Sequence, residues 1–203
     1  QHGIVNKYPK FIPPVSNKLV LWDRNAISSY KRWGFAQNKI SVIDNPLELY
    51  FKEKQKILDR NKIRKIMSID SSEVLILIAP HPFGGFSALD SNFETNKTLM
   101  GMLDLTQLFP NIKFFIKPHP HDCVTEKYQI LSNIVDDLKI SNTRLVNASS
   151  LNLISACDAV ISENSTCLLE AIYLKKPAIS FVNRSLTRHI SPYMEDKNVV
   201  KAE

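Results

Sequence analysis

The chain has 203 residues, 44% of them apolar and 23% charged, a balance that builds one large core or two small ones and excludes global disorder. Its longest apolar run, Val74–Pro80, is far too short to cross a bilayer, and its three cysteines, Cys123, Cys157 and Cys167, lack a CxxC spacing and exclude a disulfide framework. A reducing, cytoplasmic setting is expected, with any membrane contact peripheral at the inner face.

Gln1-His2-Gly3 opens the chain without an initiator methionine, a basic n-region or an apolar h-region, and reads as the start of a fragment or a processed piece. The first strand candidates are Lys18–Trp22 (KLVLW) and Ile40–Ile43 (ISVI), around a helix near Asn25–Trp33. Two strands are too few for a domain. Residues 1–50 are therefore expected to be the tail of an α/β acceptor lobe whose other strands lie upstream, leaving apolar surface exposed around Leu19–Leu21 and Val42.

Residues 51–66 hold seven cations, Lys52, Lys54, Lys56, Arg60, Lys62, Arg64 and Lys65, against Glu53 and Asp59, and so carry nearly all of the net charge of +6. Phe51 is the one aromatic residue among them, so the stacking platforms of a single-strand binder are missing and no nucleic-acid partner is expected. The pattern reads as a solvated helix face in a basic linker over residues 51–72. Attraction to anionic lipid head groups or to a polyanionic substrate is the alternative.

From residue 73 onward short β-rich runs alternate with longer helical ones, the signature of a parallel sheet covered by helices. The strands are read as Val74–Ala79, Ile112–Lys117, Thr143–Val146, Asp158–Ser162 and Ala178–Val182, and the helices as Asn92–Leu108, Val124–Leu138, Ser150–Ala156 and Thr166–Leu174. Strands buried on both faces appear as continuous apolar runs, and VLILIA is one. The fold class is α/β: a doubly wound, Rossmann-like parallel sheet over residues 73–203, preceded by part of a second α/β lobe.

In such a sheet, ligands bind beyond the carboxyl ends of the strands, where loops meet helix N-termini. Each polar cluster falls at such an end. Pro80-His81-Pro82-Phe83-Gly84-Gly85 is a close-approach loop or a plain turn. In Pro118-His119-Pro120-His121-Asp122 two prolines stiffen the backbone around His119, an imidazole suited to stabilise or protonate a departing phosphate, or else to cap the next helix. A metal site on His119 and His121 with Asp122 or Cys123 is the weaker reading, because His2, His81 and His189 are scattered without ligand spacing. Glu163-Asn164-Ser165-Thr166 precedes a helix carrying Glu170. Ser165 and Thr166 suit N-caps and also phosphate contacts, and Glu170 suits ribose hydroxyls, or simply the positive helix end.

The series IKPHP, SACDAVISENST and LLEAIYLKKPAISF resembles the C-terminal nucleotide-binding lobe of bacterial GT-B glycosyltransferases and their relatives. These include capsule and surface-polysaccharide transferases, sialyltransferases, CDP-glycerol glycerophosphotransferases and UDP-N-acetylglucosamine 2-epimerases. The resemblance implies transfer of a sugar, or a related alcohol phosphate, from a nucleotide-activated donor to a surface polysaccharide or glycolipid acceptor. It implies a catalytic His119, a catalytic His2 in the His2-Gly3 pair, and nucleotide or phosphate contacts at Pro120, Ser162, Asn164, Ser165, Thr166 and Glu170. It implies no metal and no cofactor beyond the CMP- or UDP-linked donor. No glycine separates Glu163 from Glu170, a departure from the broader pattern that inclines the donor toward cytidine. A UDP-sugar 2-epimerase, or a non-catalytic nucleotide-binding lobe, is the alternative.

Overall fold

The computed structural model describes residues 17–22, 24, 26–80, 92–124, 126–163, 165–181 and 199–202. His2, His81, Asn164 and His189 lie outside them, as do Gly84 and Gly85.

The first unit is small. Strands β1 (Leu19–Leu21) and β2 (Ile40–Val42) pair in parallel across helix α1 (Ala26–Arg32), which Gly34 closes at a φ of 91°. Leu21 and Ala26 are buried, with Leu19, Ile27, Tyr30, Trp33, Ile40 and Val42 packed around them. The apolar exposure expected over Leu19–Leu21 and Val42 is met in part: Leu21 is fully buried, Leu19 and Val42 are half-buried, and Val20 and Ile43 are 45% and 52% exposed.

The basic stretch forms two helices, α2 (Pro46–Ile57) and α3 (Arg60–Ile66). Asn45 caps α2 by accepting from the Leu47 N–H, with Pro46 in the first turn, and Asp59 caps α3 by accepting from the Lys62 N–H. Both helices pack on the lobe formed by the rest of the chain. Phe51 is buried against Tyr173, and the Asn45 side-chain amide donates to the Tyr173 hydroxyl at 2.5 Å.

The solvated-face reading holds for Lys52 and Lys56, which pair along the helix surface with Glu48 and Glu53, and fails for Arg64. That side chain is 1% exposed and donates to the carbonyls of Asp70, Glu73 and Ala156. It also lies 3.5 Å from the Asp158 carboxylate, which in turn accepts from the Leu75 N–H and from Arg60 at 2.5 Å. Two of the seven cations are therefore internal ties, made where chain segments far apart in sequence meet.

The main sheet has six parallel strands, β3 (Val74–Ile78), β4 (Ile112–Ile116), β5 (Thr143–Leu145), β6 (Ala159–Ser162), β7 (Ala178–Phe181) and β8 (Val199–Ala202), in the order β5-β4-β3-β6-β7-β8. The helices between them are α4 (Asn92–Leu108), α5 (Pro120–Cys123), α6 (Lys127–Asp137), α7 (Ser150–Ala156) and α8 (Thr166–Tyr173). The chain winds outward from β3 to β5 and returns through α7 to β6, on the other side of β3. Right-handed crossovers then place the helices of the two halves on opposite faces.

Burial follows that arrangement. Leu75 and Leu77 of β3 face α7 and α8 in one core with Leu153, Ile154, Leu168 and Ala171, whereas Ile78 faces α4 and α6 in another with Met102, Leu103 and Leu131. The buried Asn142 side chain donates to the carbonyls of Thr106, Phe109 and Ile112, joining the end of α4 to the start of β4. Two details differ from the sequence reading. The helix expected over Val124–Leu138 is α6, preceded by an additional short helix, α5, that starts at Pro120, and β8 is an additional edge strand.

Candidate functional site

The winding direction reverses between β3 and β6, which lie side by side. The helices that follow these strands, α4 and α8, pack on opposite faces of the sheet, and the crevice outside such a switch point is the position at which open α/β sheets bind ligands. The ends of β4, β3 and β6 and the first turns of α7 and α8 border it.

At the end of β4 the Lys117 N–H still pairs with the Ile78 carbonyl, then Pro118 is buried and His119 half-buried. The His119 carbonyl accepts from the N–H groups of Asp122 and Cys123, so the backbone around the imidazole is fixed by α5, which starts on the exposed Pro120. The Asp122 side chain is 1% exposed, which withdraws it from the surface. Among the described residues no group of three or more His, Cys, Asp or Glu side chains is arranged to hold a metal ion.

Beyond β6, Ser165 is the N-cap of α8: its hydroxyl oxygen accepts from the Cys167 N–H at 3.2 Å, and its carbonyl accepts from Leu168. Thr166, the first helical residue, is exposed, and the positive end of the helix faces the crevice with it. Ser180 of β7 braces this turn by donating to the Glu163 carbonyl.

Ser162 lies deeper than the other candidates: it is fully buried and its hydroxyl donates to the Ala79 carbonyl, clamping β6 to the end of β3 beneath the crevice.

Glu170, one turn into α8, is the site's most unusual group. Its Oε2 is buried and has no hydrogen-bond partner among the described residues. Burial raises its carboxyl above the ordinary glutamate value, against the opposing influence of a hydrogen bond from Ser150 and the positive charge of Lys117. Carrying an incompletely partnered carboxylate in a half-buried position is costly, and such groups concentrate where ligands bind.

Burial pushes the Cys157 thiol up to about 12 and raises Cys167 as well, the latter helped by the negative charge of Glu170.

The structure therefore gathers His119, Pro120, Ser165, Thr166 and Glu170 along one edge of the sheet and leaves Ser162 below it; His2 and Asn164 are outside the described residues. Two neighbours, Lys117 and Ser150, do not stand out in the sequence. Lys117 lies inside the IKPHP segment, two residues after the core residue Phe115, and strand alternation would have put it on the face of α7 and α8. Ser150 opens α7, where a Ser-Ser pair reads as a cap and no more.

No protein-family profile matches the sequence, and no curated protein matches it significantly. Solved structures do. HepE of Anabaena in complex with UDP and glucose superposes with a TM-score of 0.55 at 12% identity, over 92% of this chain and 49% of that one. A substituted form of the wall teichoic acid polymerase TagF soaked with CDPG gives 0.54 at 16%, over 89% and 42%. The UDP-GlcNAc 2-epimerase of Neisseria meningitidis bound to UDP-GlcNAc gives 0.61 at 18%, over 81% and 44%. The chain spans a little under half the length of each of these structures, and at such identities the likeness is one of fold. With its strand order, crossovers and flanking helices, the main lobe of this chain is a Rossmann-like lobe of the GT-B type.

Proposed function

We propose that this chain supplies the nucleotide-binding lobe of a glycosyltransferase, which moves a sugar or a related alcohol phosphate from a nucleotide-activated donor to a surface polysaccharide or glycolipid acceptor. The observation that carries the reading is Glu170: a carboxylate with one open, buried oxygen, standing at the switch point of a doubly wound sheet beside an exposed helix N-terminus. A ribose offers hydroxyl donors to such an oxygen, and its phosphates suit the positive helix end at Ser165 and Thr166. The ligands of the solved structures, UDP, UDP-glucose, CDPG and UDP-GlcNAc, support a nucleotide-sugar class.

In this reading His119 and Pro120 stand at the donor phosphates, where the imidazole donates to the charge that builds up on the leaving oxygen. Asn164 contributes from the loop before α8, and His2 acts as general base toward the acceptor hydroxyl. A cytidine or uridine donor fits. Contact with anionic membrane lipid would fall to Lys52, Lys54, Lys56, Lys62 and Lys65, since Arg60 and Arg64 are engaged internally. No helix among the described residues is long and apolar enough to cross a membrane.

Calorimetric titration with CMP, CDP and UDP tests the reading: at least one should bind with 1:1 stoichiometry, and a Thr166→Asp change, which puts a negative charge at the phosphate end, should weaken it at least tenfold. Absence of binding by all three would end the proposal.

The likeness to the 2-epimerase favours a second reading, an epimerase acting on a UDP-sugar. It is distinguished by incubating UDP-GlcNAc with the protein and no acceptor, where an epimerase forms the 2-epimer and a transferase leaves the sugar unchanged. A non-catalytic lobe would bind nucleotide and do neither.

A further inference from the structure

Helices α2 and α3 lie on the same face of the main sheet as α7 and α8. Phe51 of α2, Leu58 between the two helices, and Ile63 and Met67 of α3 and its end all pack into the core of that face, so one side of each helix is turned to the lobe. At 3.6 residues per turn the opposite side of α2 carries Leu49, Glu53, Lys56 and Ile57, with Tyr50 and Lys52 at its margins. The opposite side of α3 carries Lys62 and Lys65, with Ile66 at its margin.

This outward surface is more apolar than solvation requires. Leu49 is 58% exposed, Tyr50 49%, and Ile57 and Ile66 74% each. Lys54 stands over the Tyr50 ring, its Nζ 5.5 Å from the centroid. Lys52 and Lys56 pair at 2.6 Å with Glu48 and Glu53, which cancels the acidic charge of α2. Lys54, Lys62 and Lys65 make no ion pair among the described residues and keep their charge for a partner.

The chemistry of the surface selects that partner. Its cations are all lysines, since Arg60 and Arg64 are tied to Asp158 and to backbone carbonyls. Protein interfaces are poor in lysine and rich in arginine. Lysines beside exposed apolar side chains suit a lipid surface instead, their stems lying along the hydrocarbon boundary while the ammonium groups reach the head groups. Tyrosine favours the same depth.

We propose that the outer face of α2 and α3 docks on an anionic lipid surface, with Leu49, Tyr50, Ile57 and Ile66 entering the head-group boundary and Lys54, Lys62 and Lys65 meeting the lipid phosphates. The inference rests on the lipid contact proposed above, to which it adds an inserted apolar component, and is independent of what the crevice binds. It also has a geometric consequence. Phe51 of α2 stacks on Tyr173 of α8, and the other end of α8, about 12 Å away, borders the crevice. Docking through α2 therefore holds the crevice close to the plane in which a glycolipid acceptor lies.

Co-sedimentation of the 203-residue chain with lipid vesicles tests the proposal. Vesicles of phosphatidylcholine with phosphatidylglycerol should bind the protein, and vesicles of phosphatidylcholine alone should bind it at least about tenfold more weakly, a contrast that added salt reduces. Leu49→Ser combined with Ile57→Ser should weaken binding about tenfold, and so should Lys62→Glu. Lys139→Glu reverses an exposed charge after α6, on the opposite face of the sheet, and should change binding less than about twofold. Urea midpoints and UDP and CDP affinities of each variant separate a folding defect or a damaged crevice from a lost lipid contact. Equal losses in Lys62→Glu and Lys139→Glu would mean attraction to net charge without a docking face and overturn the inference. Full binding by the double serine variant also overturns it and leaves the lysine contact alone standing. Binding to neither vesicle overturns the lipid contact as a whole and does not touch the nucleotide reading. A dimer that the serine changes dissolve would make a second copy the occupant of this face and overturn the proposal as well. The expected vesicle pattern in a chain that binds neither nucleotide would support the docking face and count against the nucleotide reading.

Discussion

Replacing Arg64 by methionine should destabilise the protein by about 3–5 kcal/mol, the range for removing one partner from a buried ionic network. Methionine keeps the apolar stem and deletes the guanidinium. The carbonyls of Asp70, Glu73 and Ala156 then lose the guanidinium that ties the end of α3 to the start of β3 and the end of α7, and the bond to Ala156 is a buried one. Arg64→Lys should recover a minor part, since one ammonium lacks the planar fork that reaches several acceptors at once.

Arg60→Ala is the informative control. Arg60 also pairs with Asp158, but both side chains are 37% exposed, and an exposed pair contributes at most about 1 kcal/mol. Urea denaturation measures all three. A loss below about 1 kcal/mol for Arg64→Met, or equal losses for Arg64 and Arg60, would remove Arg64 from its place as the central tie.

Glu170→Gln should move stability and ligand affinity in opposite directions. The carboxyl is raised by burial in the folded state. At pH values between its unfolded and folded pKa the native protein holds more protons than the unfolded chain, so stability falls as pH rises through the folded value. Glutamine removes the charge and with it that dependence. The variant's melting temperature should therefore match the parent's below the ordinary glutamate value of 4.5 and exceed it progressively above. In a chain of this size each 1 kcal/mol corresponds to about 2–4 °C. Nucleotide affinity should meanwhile drop about tenfold or more, because an ionised acceptor is exchanged for a neutral amide. Calorimetry over pH 4 to 8 reads both quantities. A variant less stable than its parent at neutral pH would mean that Glu170 is a structural acid.

Much of the sheet was legible because its central strands are covered on both faces, so β3 spells a continuous apolar run and β4, β6 and β7 short, mainly apolar ones. The edge strand β8 was not, since Val199 and Val200 are too short a run to stand out from the charges around them. Pattern also failed at Arg64. Its side chain is chemically like Lys62 and Lys65 beside it, and the difference lies in a set of carbonyl acceptors reached through the tertiary fold.

The strand-end rule singles out His119, Ser165, Thr166 and Glu170 as candidates from sequence alone. It does not say which way the last residue of a strand points, and Ser162 lies under the neighbouring strand end, bonded at Ala79. Lys117 and Ser150 do not stand out, because which helices cover which face comes from a strand order that local sequence does not encode.

The return of the chain through α7 to the centre of the sheet also has a consequence for the order in which the protein can assemble as it leaves the ribosome. β3 pairs with β4 soon after both emerge, but its other neighbour, β6, and the acceptors of Arg64 at Ala156 and Asp158 are made more than ninety residues after Arg64 itself. During that interval one long side of β3 is an open edge and α3 has no α7 to lie against. Contacts so distant in sequence slow folding, and an unpaired central strand invites association with other nascent chains. Synthesis between the exit of β3 and the exit of β6 is therefore when this lobe depends most on chaperone cover, and a slow-translating stretch would do the most harm if it fell within that interval.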